Sequence, residues 1–187
     1  MNDIATSFRN ALDSGDYEFI AEVAECIRRN ISQNENPPLL ELLKTNIVPL
    51  IVKLLDSEYF QHEKLMVECS WILANIASGD IDFVYYLVEL EIIPKALNLF
   101  CHPSVEVREH AVWILANIAG ENVDFRNQLL DNDVVNLIDY MLRQEGFEDF
   151  PIHFVTQVSW LISLLLRGPP FPKISRVKFM FSLSLIL

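Results

Sequence analysis

The sequence predicts an all-α protein built from stacked helical repeats, and three observations carry that prediction. Residues 68–80, ECSWILANIASGD, return at 109–122 as EHAVWILANIAGEN, with the core Trp-Ile-Leu-Ala-Asn-Ile-Ala intact. Trp113 follows Trp71 by 42 residues, Asn117 follows Asn75 by 42, and Trp160 in VSWLISLLLRG follows Trp113 by 47. Pro94 follows Pro49 by 45, an independent copy of the same period. A period in the forties with no strand signal means stacked helical units.

A helical wheel shows what the repeated segments offer. With Trp71 as origin, Cys69, Ser70, Ile72, Leu73, Ile76 and Ala77 gather on the far side, while Asn75 and Glu68 lie within about 60° of the ring. Trp113 repeats this, with Ile114, Leu115, Ile118 and Ala119 on the core arc and Asn117 and His110 beside the indole. A Trp and an amide one turn apart therefore share a strip that the core does not need.

The elements follow in order. Residues 1–14 form a short helix with Ile4, Phe8 and Leu12 on one side, ended by Ser14-Gly15-Asp16. A second helix over 17–31 carries Phe19, Ile20, Val23, Ala24 and Ile27 as its apolar stripe, and the polar stretch 32–36 before Pro37-Pro38 is a connector. Helices then come in triplets. The first comprises LLELLK, a helix opened by Ile47-Val48-Pro49 and running to about Leu55, and a long helix over 62–78. The second comprises 83–90, a helix opened by Ile92-Ile93-Pro94 and running to Phe100, and 104–119; the third comprises 125–130, 134–144 and 152–167. Each Pro stands in a first turn, where no amide donor is needed. Gly79 and Gly120 are expected to cap the long helices.

Composition narrows the function. A net charge of −12 over 187 residues argues against nucleic acid and anionic membranes and favours a cationic partner if the acids line a binding face. Three cysteines, Cys26, Cys69 and Cys101, show no paired spacing, which fits a reducing compartment, and Cys69 sits on the core arc. The start, MNDIATSFRN, has no signal-peptide pattern, and the apolar end 179–187 is too short to span a bilayer, so the chain reads as soluble and intracellular. There is no phosphate loop, no nucleophile elbow and no metal spacing; His62, His102, His110 and His153 are scattered, and no enzyme or cofactor is expected.

The three-helix unit of just over forty residues resembles the armadillo repeat. The segments SWILANIASGD and AVWILANIAGEN resemble the second and third repeats of the importin-α family, adaptors for nuclear localisation signals. ISQNENPPLLELLKTNIVPLIVKLL is similar to that family's first-to-second repeat junction, and VSWLISLLLRGPPFP to its fourth repeat end. The resemblance covers about residues 17–172 and implies a right-handed superhelical armadillo solenoid of about four repeats, truncated relative to the family. It divides the chain into N-terminal helices as a degenerate first repeat (1–36), repeats over 37–79, 80–120 and 121–168, and a partial fifth repeat or atypical tail (169–187).

Stacked repeats turn one face of every third helix into a common groove. Asn amides there suit the backbone of an extended peptide, and an indole attracts a lysine or arginine by about 0.5 to 2 kcal/mol. Glu68, Glu109 and Glu121 are expected as countercharges. The resemblance assigns the peptide-binding role to Trp71, Asn75, Trp113, Asn117 and Trp160, with Ser78 and Gly79 matching the segment that admits the critical lysine. Glu121 stands where the family usually has Asp. His110 replaces a family Gln, either donating a bond there or standing as a functionless surface His. Leu164 takes the third Asn position, weakening that end of the groove, and Gln33 stands where the family often has Arg.

The implied partners are lysine- and arginine-rich cargo segments, shuttled between cytoplasm and nucleus. The family's basic amino-terminal segment, which recruits importin-β, has no counterpart before the second helix, so importin-β binding is not expected by that route. The other reading is an armadillo scaffold without import activity, its Trp ladder serving packing alone. The apolar 179–187 tail is expected to promote self-association.

Overall fold

A computed structural model describes residues 1–32, 37–145 and 150–178, and among these it is helical with no strand. The expected connector residues 33–36 and the self-associating tail 179–187 lie outside the described residues. No helix among the described residues is long and apolar enough to cross a membrane. The chain divides into two compact units, Met1–Lys95 and Ala96–Leu187.

The first unit contains α1 (Asn2–Ser14), α2 (Tyr17–Ser32), α3 (Leu39–Lys44), α4 (Val48–Lys53), α5 (Glu63–Ala77) and α6 (Ile81–Glu89), with most of α7 (Ile92–Asn98). Gly15 closes α1 in the left-handed conformation, φ 68°, its N–H bonded to the Leu12 carbonyl. Ala5, Phe8 and Ala11 form the buried stripe of α1, with Ile4 and Leu12 half-buried at its margins. On α2, Ile20, Val23, Ala24 and Ile27 are buried as expected, joined by Ala21 and Ile31. Phe19, placed on that stripe by sequence, is instead 42% exposed. It stands a full 100° around the helix from Ile20, beyond the arc that α2 turns towards α1 and α5.

In the second unit, α8 (Val105–Glu121) packs against α9 (Val123–Asp131) and α11 (Ile152–Leu166); α10 (Val134–Glu145) and α12 (Ile174–Val177) complete the described helices. The long helices α5 and α8 are buried on most of their circumference. On α5 even Glu68 and Ser70 are covered, and on α8 so are Arg108 and His110.

Both long helices end differently from the sequence expectation. Ser78, right-handed at φ −85°, closes α5, and Gly120 lies inside α8. Gly79 has no left-handed φ; what it supplies is absence of a side chain, since a Cβ there would stand 2.6 Å from Phe83 Cδ2 and 3.0 Å from Leu39 Cδ1. Close packing of side chains, and not helix capping, requires this glycine.

Left-handed backbone does recur, at a position the sequence pattern did not mark. Asn46, Glu91 and Asp133 have φ of 55°, 58° and 63°. Each immediately precedes the Ile or Val that opens the middle helix of a triplet, and each N–H bonds to the carbonyl three residues back, on Leu43, Val88 and Leu130. The sharp reversal drives Ile47, Ile92 and Val134 to full burial. A side chain in this conformation costs about 1 to 2 kcal/mol, least for Asn and Asp, so Glu91 is the strained member of the set. Glu91→Asn is expected to raise stability by up to about 1 kcal/mol, read as a thermal midpoint higher by about 2 to 4 °C.

Candidate functional site

The strip left open on each long helix is the one that carries the Trp and Asn. Trp71 and Asn75 on α5 are half-buried while Ile72, Leu73, Ala74 and Ile76 around them are sealed. Trp113 and Asn117 on α8 repeat this, flanked by buried Ile114, Leu115, Ala116 and Ile118. The local geometry is also the same twice. Asn75 Nδ2 donates to the Trp71 carbonyl at 2.9 Å, and Asn117 Nδ2 donates to the Trp113 carbonyl at 3.0 Å. One amide hydrogen is thus spent holding the side chain against its own helix. The second N–H and the Oδ1 acceptor of each Asn make no further hydrogen bond among the described residues.

The third copy departs from the first two. Trp160 on α11 is 42% exposed, and Leu164 takes the Asn position. Leu164 leans over Gly120, its Cδ2 3.5 Å from where a Cβ would stand. Ser163 Oγ donates to the Trp160 carbonyl at 2.7 Å, the bond that Asn makes in the other copies, and offers no amide to a ligand.

The other expected site residues divide. Ser78 is exposed and donates its hydroxyl to the Asn75 carbonyl at 2.8 Å. Phe83 and Leu39 fill the space beside Gly79, so what that glycine presents to a ligand is backbone. Glu121, half-buried at the end of α8, borders a cavity of about 210 Å³ with Gly120, Asn122, Arg126, Leu164 and Arg167. His110 is only 7% exposed, which removes the surface-His reading; it sits among the packed residues of α8.

Two of the three expected countercharges are already engaged. Glu68 takes a forked bond from Arg28 on α2, Nε to Oε2 at 2.7 Å and Nη2 to Oε1 at 3.2 Å. Glu109 on α8 meets His153 Nε2 on α11 at 2.9 Å. Burial pushes the Glu109 carboxyl above its ordinary range, and the neighbouring His153 draws it back down. Among the described residues, Glu121 alone of the three has no such partner.

Sequence reasoning passed over Arg28 altogether. Its guanidinium carbon lies 4.3 Å from the Trp71 ring centroid, a cation–π stack closed by the Glu68 fork. The signal was present: Glu25-Cys26-Ile27-Arg28 and Glu68-Cys69-Ser70-Trp71 are 43 residues apart, one more copy of the repeat with Arg at the Trp position. Arg126 was also passed over. This buried guanidinium on α9 donates to the carbonyls of Arg167 and Pro170 and to Asn127 Oδ1, tying α9 to the segment that follows α11.

The triplet order of helices and the repeated Trp-Asn strip define an armadillo-repeat solenoid protein. A family model, the armadillo/beta-catenin-like repeat, matches residues 81–120. Importin subunit alpha-1b of Oryza sativa subsp. japonica is 32% identical over 168 residues, 90% of this chain and 30% of that protein. Importin subunit alpha-3 of Arabidopsis thaliana is 34% identical over 151 residues, 81% of this chain and 27% of its own. Among solved structures, a designed armadillo repeat protein in complex with the peptide (KR)4 superposes with a TM-score of 0.74 at 25% identity, covering 90% of this chain and 65% of the designed one. The repeats of this chain are armadillo repeats of the importin-α family, and the chain spans about 30% of the length of the rice protein it matches.

Two measurements check the packing described here. Gly79→Ala forces Phe83 and Leu39 aside and is expected to lower stability by about 1 to 3 kcal/mol in chemical denaturation. Cys69 is fully buried, which pushes its thiol far above the ordinary range, whereas Cys26 and Cys101 are exposed. A thiol reagent should therefore modify Cys26 and Cys101 promptly in the folded protein and reach Cys69 only on unfolding.

Proposed function

We propose that this chain is an adaptor that binds lysine- and arginine-rich segments, the nuclear localisation signals of cargo proteins, as extended peptides for import into the nucleus. The reading rests on one observation: a half-buried Trp with an Asn one turn on, each Asn held by the same bond to its own helix, twice in identical form. Extended peptide backbone has no internal partners, so it needs donors and acceptors at regular intervals along its receptor. The free N–H and Oδ1 of Asn75 and Asn117 are such groups, and the adjoining indoles take the aliphatic stems and charges of Lys and Arg.

Support comes from charge and from likeness. At −12 the chain draws cationic peptides to itself, and the designed armadillo relative was solved with a peptide of alternating Lys and Arg. Trp71, Asn75, Trp113 and Asn117 are the principal binding residues. Trp160 adds an indole without an Asn. Ser78 and Gly79 border the site through hydroxyl and backbone, Glu121 is the countercharge at the end of α8, and His110 stands enclosed on α8 three residues before Trp113. An adaptor of this kind works in both cytoplasm and nucleus.

The scaffold reading, in which the Trp residues serve packing alone, has one observation in its favour: Arg28 and Glu68 satisfy each other at Trp71 without any peptide. Titration of a fluorescent Lys-rich peptide separates the two readings. Binding is expected to weaken as salt rises and to fall at least tenfold in Trp113→Ala/Asn117→Ala, with circular dichroism unchanged. Unchanged affinity in a folded double variant overturns the peptide reading; loss of the helical signal favours the scaffold.

A further inference from the structure

Resting on that peptide-binding reading, we infer that Arg28 is a built-in occupant of the cation position on Trp71 and marks where the peptide's run of basic residues must stop. Three observations converge on it. The first is register. Arg28 stands 43 residues before Trp71, at the position that the three later copies fill with Trp71, Trp113 and Trp160, so the ladder reads Arg, Trp, Trp, Trp. The second is geometry. The guanidinium lies over the Trp71 ring at 4.3 Å from its centroid, the place a bound arginine or lysine takes on an indole. The third is charge. Both carboxylate oxygens of Glu68 are committed to Arg28, and the two side chains are only 15% and 9% exposed, so the countercharge is shielded from an incoming cation.

A lysine approaching that ring face meets a like charge within contact distance and a carboxylate whose charge Arg28 already balances. Neither Trp113 nor Trp160 carries such a cation among the described residues. The α2 side of Trp71 therefore refuses a basic residue and takes a neutral or acidic one. Arg28 is a specificity-determining residue: it sets one end of the cationic stretch the protein reads.

The test uses protein labelled with 5-fluorotryptophan and 19F NMR, the three resonances assigned by single Trp→Phe changes. A peptide of consecutive lysines is titrated into the wild type and into Arg28→Met. Because Arg28→Met leaves Glu68 buried without its partner, Arg28→Met/Glu68→Gln is carried in parallel, with circular dichroism as the check on folding. The expected result in the wild type is a Trp71 resonance that moves clearly less than that of Trp113, because only the ring face away from Arg28 is open to the peptide, and equal movement of both once Arg28 is gone, with peptide affinity at least threefold higher in Arg28→Met. Equal movement of Trp71 and Trp113 in the wild type overturns the inference whether or not the variants fold. So does a stationary Trp71 in a folded variant whose Trp113 moves. If no resonance moves in any protein, the peptide reading itself fails and Arg28 falls with it.

Discussion

The constraint on which the rest depends is the near-complete enclosure of the long helices. α5 and α8 sit in contact with neighbours on most sides, and their small residues, Cys69, Ser70, Ala74 and Ala77 on the first, Ala111, Ala116 and Ala119 on the second, let those neighbours approach closely. Each large aliphatic side chain so enclosed contributes about 1.5 to 3 kcal/mol of transfer free energy. A helix held this tightly cannot rotate, so the single strip it leaves open is fixed in place. What stands on that strip, Trp and then Asn one turn later, is held with little conformational freedom.

Enclosure also dictates what becomes of charge. Groups carried under neighbouring helices are held by a partner within the same unit, because a buried charge without one costs far more than a surface charge gains. Arg28 finds Glu68 and an indole; Arg126 finds two carbonyls and an amide; Glu109 finds His153. The net charge of −12 is thus a poor guide to which acids face a ligand. Two of the three expected countercharges, Glu68 and Glu109, are paired inside the protein, and Glu121 at the end of α8 has no ion pair among the described residues.

The left-handed residues before each middle helix show the same economy in the backbone. The turn between the first and second helix of a triplet has to reverse the chain in one residue so that the following Ile or Val goes straight into the core. Asn46 and Asp133 tolerate that conformation, while Glu91 takes it because the burial of Ile92 compels it.

The sequence by itself determined the helical class, the period, the order of the triplets and the strip of Trp71, Asn75, Trp113 and Asn117, because all of these are one-dimensional: spacings of 42 to 47 residues and a 100° step need no knowledge of neighbours. The departure of the third copy was equally legible, since Leu164 stands plainly where an Asn would be. Only the tertiary structure decided the rest. Whether Glu68 is free or forked to Arg28, whether His110 is exposed or enclosed, and whether Gly79 caps a helix or yields to Phe83 all depend on which side chain arrives from another helix. A helical wheel gives the direction in which a residue points and says nothing of what stands opposite.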